Sequence, residues 1–176
     1  MSKLAAKEKE GDDQWVDIET KVEETPEDHG DDLRVWLRIL ACSTLIDTEV
    51  RRRLREEFDC TLPRFDLLAQ LDRADKGMLL SEISRRMMVS AGNLTALVGR
   101  MVDSGHIKRT VSPLDGRAQI ISMTPVGRSF FRKMARRHAE WISDLFADLS
   151  ANEKTALLNQ LGKLKSSLRR SLSQGE

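Results

Sequence analysis

The chain of 176 residues contains no tyrosine and is poor in several residues that mark specialised classes of protein. Its two cysteines, Cys42 and Cys60, are too few for a disulfide framework and are typical of a reducing compartment. No segment reaches the roughly 18 to 20 consecutive apolar residues of a membrane-spanning helix. The first residues also lack the apolar core of a signal peptide. We therefore expect a cytoplasmic protein that does not enter a membrane.

Motifs for catalysis and metal binding are missing as well. The sequence has no Gly-rich phosphate loop, no His-Glu-x-x-His and no Cys-x-x-Cys. Its three histidines, His29, His106 and His138, are far apart, and none has a second ligand at a spacing that would hold a metal. We expect neither an enzyme nor a bound metal or cofactor, and we expect His138 to be a half-buried helix residue.

Charge is plentiful but unevenly distributed. Residues 1–32 carry twelve Asp/Glu against four Lys, whereas residues 33–176 carry 25 Lys/Arg against 16 Asp/Glu. Residues 1–31 show no sustained apolar periodicity and are expected to form an acidic, mostly disordered tail. The basic remainder indicates a polyanionic partner, most simply nucleic acid.

Apolar spacing predicts long helices at both ends of the remaining chain. One helix is expected within residues 32–60. Two more are expected within residues 124–172, opened by Thr124-Pro125 and by the capping-box spacing from Ser150 to Glu153. Together these helices have more apolar surface than a central unit of about 60 residues can cover. A second copy of the chain is the commonest partner for such a surface, so we expect a homodimer.

Residues 61–123 are expected to form a central domain. Met78-Leu79-Leu80 can form one β-bridge, and two helices in close succession are predicted over residues 82–88 and 91–104. Strands are predicted over residues 106–111 and 118–123, joined by a loop with Pro and Gly. This order predicts a mainly α (α+β) fold, a winged helix-turn-helix with N- and C-terminal dimerisation helices.

Several helix ends carry recognisable signals. Asp31 or Asp32 can cap the first helix, and Ser81 and Ser90 can cap the two central helices. Gly105 is placed to end the second central helix in a left-handed conformation. The apolar positions of these two helices are expected to face the core: Ile83, Met87, Met88, Leu94, Leu97, Val98, Met101 and Val102.

The second helix of a helix-turn-helix lies in the major groove, with its N-terminal residues near base edges. Asn93 can pair with adenine, Thr95 can bond a phosphate or touch a thymine methyl, and Arg100 can neutralise a phosphate. Glycine at position 92 would let the backbone approach DNA closely. The alternative for each residue is an ordinary solvated helix face. The expected DNA-contacting set on this helix is Ser90, Gly92, Asn93, Thr95, Ala96 and Arg100.

The strands that follow form a basic hairpin, with Asp115 as the only acid between residues 106 and 117. A narrow loop tipped with arginine fits the minor groove, where negative potential concentrates, so Arg109 and Arg117 are expected to contact DNA. Asp115 is expected to support them by accepting from Arg117 or from turn amides. A solvated basic hairpin without DNA contact is the alternative.

Four segments then carry a family resemblance: Thr61-Leu62-Pro63-Arg64-Phe65, Ser90-Ala91-Gly92-Asn93-Leu94-Thr95, Asp115-Gly116-Arg117 and Met123-Thr124-Pro125-Val126-Gly127. They resemble the MarR family of bacterial winged helix-turn-helix regulators. The resemblance covers about Leu33 to Leu172. It implies a dimer, built from the first and last two helices, that binds a pseudo-palindromic operator in double-stranded DNA as a repressor or, less often, as an activator.

The resemblance also implies a small-molecule effector in a cleft between the dimerisation helices and the winged domain. The segment from Leu62 to Arg73 resembles a subgroup that controls aromatic-acid and hydroxycinnamate catabolism, which implies an aromatic acid or its CoA thioester as effector. Apolar walls with one or two arginines would suit such a ligand, and an ordinary core is the alternative. The candidate effector-binding residues are Trp36, Arg38, Leu40, Arg64, Phe65, Leu68 and Phe131.

Some members of this family respond through a cysteine near the first helix, which relatives commonly orient with tyrosines. Because this chain has no tyrosine, we expect Cys42 to be buried and inert, and Cys60 to be more exposed beside Asp59. Three functions stay open: a repressor released by a ligand, an architectural or ligand-independent DNA-binding protein, and a helical interaction module that does not bind DNA.

Overall fold

The computed structural model describes residues 30–113 and 115–173. Helices dominate this part of the chain and a small antiparallel sheet lies in its middle, which confirms the predicted mainly α (α+β) winged fold. The predicted acidic tail falls almost wholly outside the described residues. The elements follow in the order α1 (Asp31–Phe58), α2 (Leu62–Asp72), β1 (Met78–Leu79), α3 (Leu80–Met87), α4 (Ala91–Asp103), β2 (Ile107–Val111), β3 (Gln119–Met123), α5 (Pro125–Leu145) and α6 (Ala151–Ser173).

The sheet has three strands in the order β1-β3-β2. β2 and β3 form the hairpin that the sequence predicts, in a register that places Ile107 opposite Met123. β1 pairs with the other edge of β3, with Met78 opposite Ile121. Gly77 precedes β1 with φ 82°, and a Cβ there would lie 2.6 Å from the Ile121 carbonyl oxygen, so the close approach of β1 to β3 requires glycine.

The described chain divides into two compact units, one ending at Phe131 and the other beginning at Arg132. In the second unit Met134 and Trp141 are buried, whereas α6 has no buried residue. The core of the first unit is built from apolar side chains of its helices and strands: Val50, Leu54, Leu67, Leu68, Leu71, Ile83, Leu94, Val98, Met101, Ile107 and Ile121.

Local signals place several helix ends where the sequence predicts them. The Ser90 hydroxyl accepts a hydrogen bond from the Asn93 amide (3.3 Å) at the start of α4, and Gly105 follows the end of α4 with φ 73°. The capping box of α6 is formed, because the Ser150 amide donates to a Glu153 carboxylate oxygen (2.8 Å) and the Glu153 amide donates to the Ser150 hydroxyl (3.3 Å).

Two predicted caps are wrong. α1 begins after Gly30, so Asp31 and Asp32 lie in its first turn, where negative charge favours the helix dipole without capping it. α3 begins at Leu80, directly after β1, and Ser81 therefore lies inside the helix.

Two predicted core positions are also wrong. Met88 is 93% exposed because it ends α3 with a left-handed backbone (φ 53°), which turns the chain one residue earlier than the apolar spacing suggests. Val102 is 36% exposed, beside the buried Met101 on the next face of α4.

Candidate nucleic-acid interface

A short, well-bonded turn joins α3 to α4. Met88 reverses the chain, and the Ser84 hydroxyl donates to the Val89 carbonyl oxygen at 2.7 Å. The Val89 amide donates in return to the Ser84 carbonyl oxygen at 3.2 Å. Ser90 then caps α4. These bonds fix the direction of α4 relative to α3, which is the arrangement of a helix-turn-helix; α4 is called the recognition helix from this point.

The recognition helix is anchored by one face and open on the other. Its buried residues recur at three- and four-residue steps, and the opposite face is exposed to solvent. The Asn93 and Arg100 side chains have no hydrogen-bond or ion-pair partner among the described residues. The Thr95 hydroxyl donates to the Ala91 carbonyl oxygen (2.8 Å), which leaves its oxygen able to accept. All six residues predicted to contact DNA on this helix are exposed: Ser90, Gly92, Asn93, Thr95, Ala96 and Arg100.

The hairpin of β2 and β3, called the wing, presents two further arginines. Arg109 lies opposite Ile121 in the sheet, and its side chain is exposed. Arg117 lies at the turn, where its amide donates to a carboxylate oxygen of Asp115 at 2.9 Å. Asp115 therefore orders the loop through a backbone amide, one of the two roles that the sequence left open for it. The Ala118 amide completes the turn by donating to the Asp115 carbonyl oxygen (2.9 Å).

Basic charge concentrates on these two elements and on the end of α3. Between residues 84 and 117 the sequence has six Lys/Arg, all exposed, and only two Asp. Arg86 pairs with Glu82 at 2.6 Å, and the other five have no ion-pair partner in the described chain. Charges that no protein group neutralises can bind phosphate. The six are Arg85, Arg86, Arg100, Lys108, Arg109 and Arg117.

Arg85 is a candidate that sequence reasoning missed. It is exposed in the last turn of α3, three residues before the turn that leads to the recognition helix. The first helix of a helix-turn-helix crosses the DNA backbone, so a cation at this end is placed for a phosphate. Its position in the first helix of the predicted helix-turn-helix could have identified it.

Comparison with known proteins agrees with this geometry. The model of the MarR family matches residues 58–118. The transcriptional activatory protein BadR of Rhodopseudomonas palustris is 28% identical over 140 residues, covering 78% of this chain and 79% of BadR. The HTH-type transcriptional regulator PecS of Dickeya dadantii is 27% identical over 128 residues, covering 72% and 76%.

Two solved structures have the same fold. AbsC, a MarR family transcriptional regulator from Streptomyces coelicolor, has a TM-score of 0.69 at 23% identity and covers 80% of this chain and 96% of its own. Sco3205, a MarR family regulator from the same organism solved in complex with DNA, has a TM-score of 0.67 at 20% identity, covering 76% and 85%. Residues 58–118 thus resemble the MarR family, and most of the chain is similar to transcriptional regulators. The similar proteins are transcriptional regulators, which supports DNA-binding regulation and not catalysis for this chain.

The candidate effector residues fall into two groups. Phe65, Leu68 and Phe131 are buried, and the rings of Phe65 and Phe131 are 5.6 Å apart, with Arg64 half-buried nearby in sequence. The other group, Trp36, Arg38 and Leu40, is exposed near the start of α1.

The exposed group, Trp36, Arg38 and Leu40, lies far along α1 from the end of that helix at Phe58. Phe58, at the end of α1, packs against Phe130 with ring centroids 6.2 Å apart. Trp36 lies 22 residues earlier in the same helix, which corresponds to about 33 Å at 1.5 Å per residue. A ring contact joins Phe65 and Phe131, and Asp66, next to Phe65, lies close enough to Arg51 and Asp47 of α1 for their charges to act on its carboxyl.

The expectations for the two cysteines are both wrong. Cys42 is exposed on α1, and Cys60 is buried. The chain turns inward directly after α1, where the Cys60 amide donates to the Leu54 carbonyl oxygen (3.1 Å). Burial raises the pKa of the Cys60 thiol to about 11, with Arg64 opposing the rise and Asp59 adding to it. Neighbouring residues in sequence did not reveal which way either thiol would face.

The two histidines within the described residues, His106 and His138, behave as ordinary structural residues. His138 is half-buried on α5, as predicted, and burial lowers its pKa. Burial also lowers the pKa of His106, and the charge of Arg64 adds to this effect. Within residues 30–113 and 115–173 no three His, Cys, Asp or Glu residues cluster as a metal site. No helix in that part of the chain is both long and apolar enough to span a membrane.

Proposed function

We propose that the chain acts as a homodimer that binds a pseudo-palindromic operator, represses transcription there and is released by a small-molecule effector. The exposed face of the recognition helix is the observation that supports DNA binding most directly. Asn93 and Arg100 have no partner among the described residues, and the wing arginines lie on the hairpin that follows. Base edges and phosphates would supply the missing partners.

Each contact would have its own role. The recognition helix would enter the major groove with Asn93 on a base edge, while Arg100 holds a phosphate and the Thr95 methyl touches a thymine methyl. Arg117, ordered by the loop around Asp115, would reach the minor groove, and Arg109 on β2 would also contact DNA. Residues 61–123 would thus form the DNA-binding domain.

Exposed apolar residues at both ends of the chain support the dimer. On α6 they follow one stripe, with Leu157 and Leu161 each 41% exposed, Leu168 53% and Leu172 75%. The first half of α1 adds Leu33, Val35, Trp36 and Leu40, all exposed. Surfaces of this kind are unfavourable in water, and a two-fold copy of the chain would cover them. Residues 32–60 and 124–172 would therefore be the dimerisation segments.

The effector we propose is an aromatic acid or its CoA thioester. Arg38 and Arg64 could hold its anionic end, and the aromatic side chains of the two groups could enclose its ring. A complete site would use residues of the buried group, of the exposed group or of both subunits. A ligand that favours a spacing of the recognition helices other than the roughly 34–36 Å that DNA requires would lower operator affinity.

Activation of transcription is a second candidate, favoured by the description of BadR as an activatory protein. The contacts between protein and DNA would be the same as in repression, and only the position of the operator relative to the promoter would differ. Footprinting of the DNA flanking the coding region, followed by transcription in vitro with and without the protein, separates the two. Less transcript on addition of protein supports repression, and more transcript supports activation.

Gel-shift titration separates the proposal from its alternatives. A sequence-specific shift that a metabolite weakens supports a ligand-released regulator. A specific shift that every aromatic acid and thioester leaves unchanged supports an architectural or ligand-independent DNA-binding protein. Absence of any specific shift at low salt would support an interaction module and contradict the proposal.

A further inference from the structure

The first turn of α5 is bonded to the segment that directly follows the recognition helix. The Thr124 amide donates to the His106 carbonyl oxygen (3.0 Å), and the Thr124 hydroxyl donates to the Gly105 carbonyl oxygen (2.7 Å). The same hydroxyl lies 3.1 Å from the His106 carbonyl oxygen and accepts from the Gly127 amide at 3.0 Å. One side chain therefore joins the end of the recognition helix, the start of the wing and the start of α5.

Glycine at position 127 makes this contact possible. A Cβ on Gly127 would lie 1.9 Å from the His106 carbonyl oxygen and 2.8 Å from its carbonyl carbon. The two backbones are thus closer than any side chain allows. Glycine is also among the least favourable residues in a helix, so its presence at this position is explained by the contact and not by helix formation.

The His106 side chain also packs at this contact between residue 106 and the first turn of α5. Its ring stacks on Phe130 with centroids 4.6 Å apart, and its Nδ1 lies 2.8 Å from the Ser104 hydroxyl oxygen. Phe130 also meets Phe58, at the end of α1, edge to face at 6.2 Å. We call this set of contacts the junction: Phe58, Ser104, Gly105, His106, Thr124, Gly127 and Phe130.

We infer that Thr124 is a positioning residue for operator binding, because its hydroxyl fixes the recognition helix and the wing to the first turn of α5. The inference rests on the proposed dimeric DNA-binding function. Two half-sites one turn of DNA apart require recognition helices at about 34–36 Å. If the recognition helix can shift against α5, the distance between the two recognition helices of the dimer is no longer fixed. The contacts of one recognition helix to a single half-site are unaffected.

The test compares two substitutions at this position. Thr124→Val keeps the shape of the side chain and removes the hydroxyl, whereas Thr124→Ser keeps the hydroxyl. The probes are a duplex with two half-sites, selected by the parent protein from a random library, and the same duplex with one half-site scrambled. Fluorescence anisotropy gives the affinity of each protein for each duplex, and thermal unfolding checks that each variant is folded.

We expect Thr124→Val to bind the two-half-site duplex about tenfold more weakly than the parent protein, because it loses a hydrogen-bonding group. Thr124→Ser keeps that group, and its affinity for the same duplex should stay within about twofold of the parent's. All three proteins should bind the scrambled duplex alike. Equal affinity of the Val and Ser variants for the complete duplex would overturn the inference, as would equal losses on both duplexes.

Ser104→Ala provides a second, milder variant if Thr124→Val does not fold. It removes the hydroxyl beside His106 at an exposed position and leaves Thr124 intact. A loss confined to the two-half-site duplex supports the junction, and no loss or an equal loss on both duplexes overturns it. A parent protein that selects no sequence from the library would overturn the proposed function itself, and the inference with it.

Discussion

We expect single residues of the recognition helix to divide between reading bases and holding phosphates. Asn93 carries an amide that can donate to and accept from an adenine edge, and Arg100 carries a charge without an ion-pair partner in the described chain. We expect Asn93→Ala to relax preference at one base pair of each half-site, and Arg100→Ala to weaken binding to every sequence. Anisotropy titrations against operators with single base changes separate the two effects.

The salt dependence supplies the control for this pair. Only Arg100→Ala should make the slope of log affinity against log salt concentration shallower, by about one unit, because only it removes a phosphate contact. Identical behaviour of both variants across the operator panel would mean that the recognition helix faces DNA differently.

The wing gives a second prediction at residue scale. Arg117→Ala should weaken operator binding by about 1–3 kcal/mol while leaving the dimer intact. Asp115→Ala should produce part of this loss, because the Arg117 amide loses its acceptor, and Asp115→Asn should restore binding, because the amide oxygen can accept in the same place. Unchanged affinity in a folded Arg117→Ala protein would remove the wing from DNA recognition.

Cys60 predicts a dependence of stability on pH. Its pKa is raised from 9.0 to about 11 in the fold by burial, so the unfolded chain ionises first as the pH rises. The stabilising effect is complete below about pH 9 and is lost as the pH rises through 11, at a cost of about 2 kcal/mol. Urea unfolding in a Cys42→Ser background should show a steeper loss for the chain with Cys60 than for Cys60→Ala. Parallel curves would contradict the burial of this thiol.

At the scale of elements, two glycines of the recognition-helix region should respond to alanine with opposite signs. Gly105 has φ 73°, so Gly105→Ala should destabilise the fold by about 1 kcal/mol although its Cβ would meet no atom within 4 Å. Gly99 lies inside α4 with the same free space and no positive φ, so Gly99→Ala should stabilise by about 0.5–1 kcal/mol. Urea unfolding measures both, and changes of the same sign would contradict a recognition helix that contains Gly99 and ends before Gly105.

The elements also show what the sequence could and could not predict. The hairpin, the Ser90 cap and the capping box before α6 depend on residues a few positions apart, and spacing alone predicts them. The cap at Ser81 and the burial of Met88 were wrong because pairing of β1 with β3 and the left-handed turn at Met88 set the limits of α3. The exposure of Cys42 and the burial of Cys60 depend on how the end of α1 packs, which no local pattern records.

At the scale of the whole molecule, the leucine stripe of α6 should hold two chains together. We expect Leu161→Glu combined with Leu168→Glu to yield monomers and to abolish binding to a two-half-site operator, because charge would replace exposed leucines that the proposed interface covers. Lys165→Glu, an exposed position on the same helix, is the matched control for added negative charge and should stay dimeric. Sedimentation velocity measures the oligomeric state of each variant. A double variant that stays dimeric would place the interface elsewhere.

The proposed function depends above all on sequence-specific DNA recognition by the recognition helix and the wing. Selection of binding sequences from a random duplex library by the full chain tests this recognition most directly. We expect an inverted repeat with half-site centres about one helical turn apart. A protein carrying Asn93→Ala, Arg100→Ala and Arg117→Ala together should fail to enrich that repeat. No enriched sequence with the parent chain, or the same repeat enriched by the triple variant, would contradict recognition through these two elements.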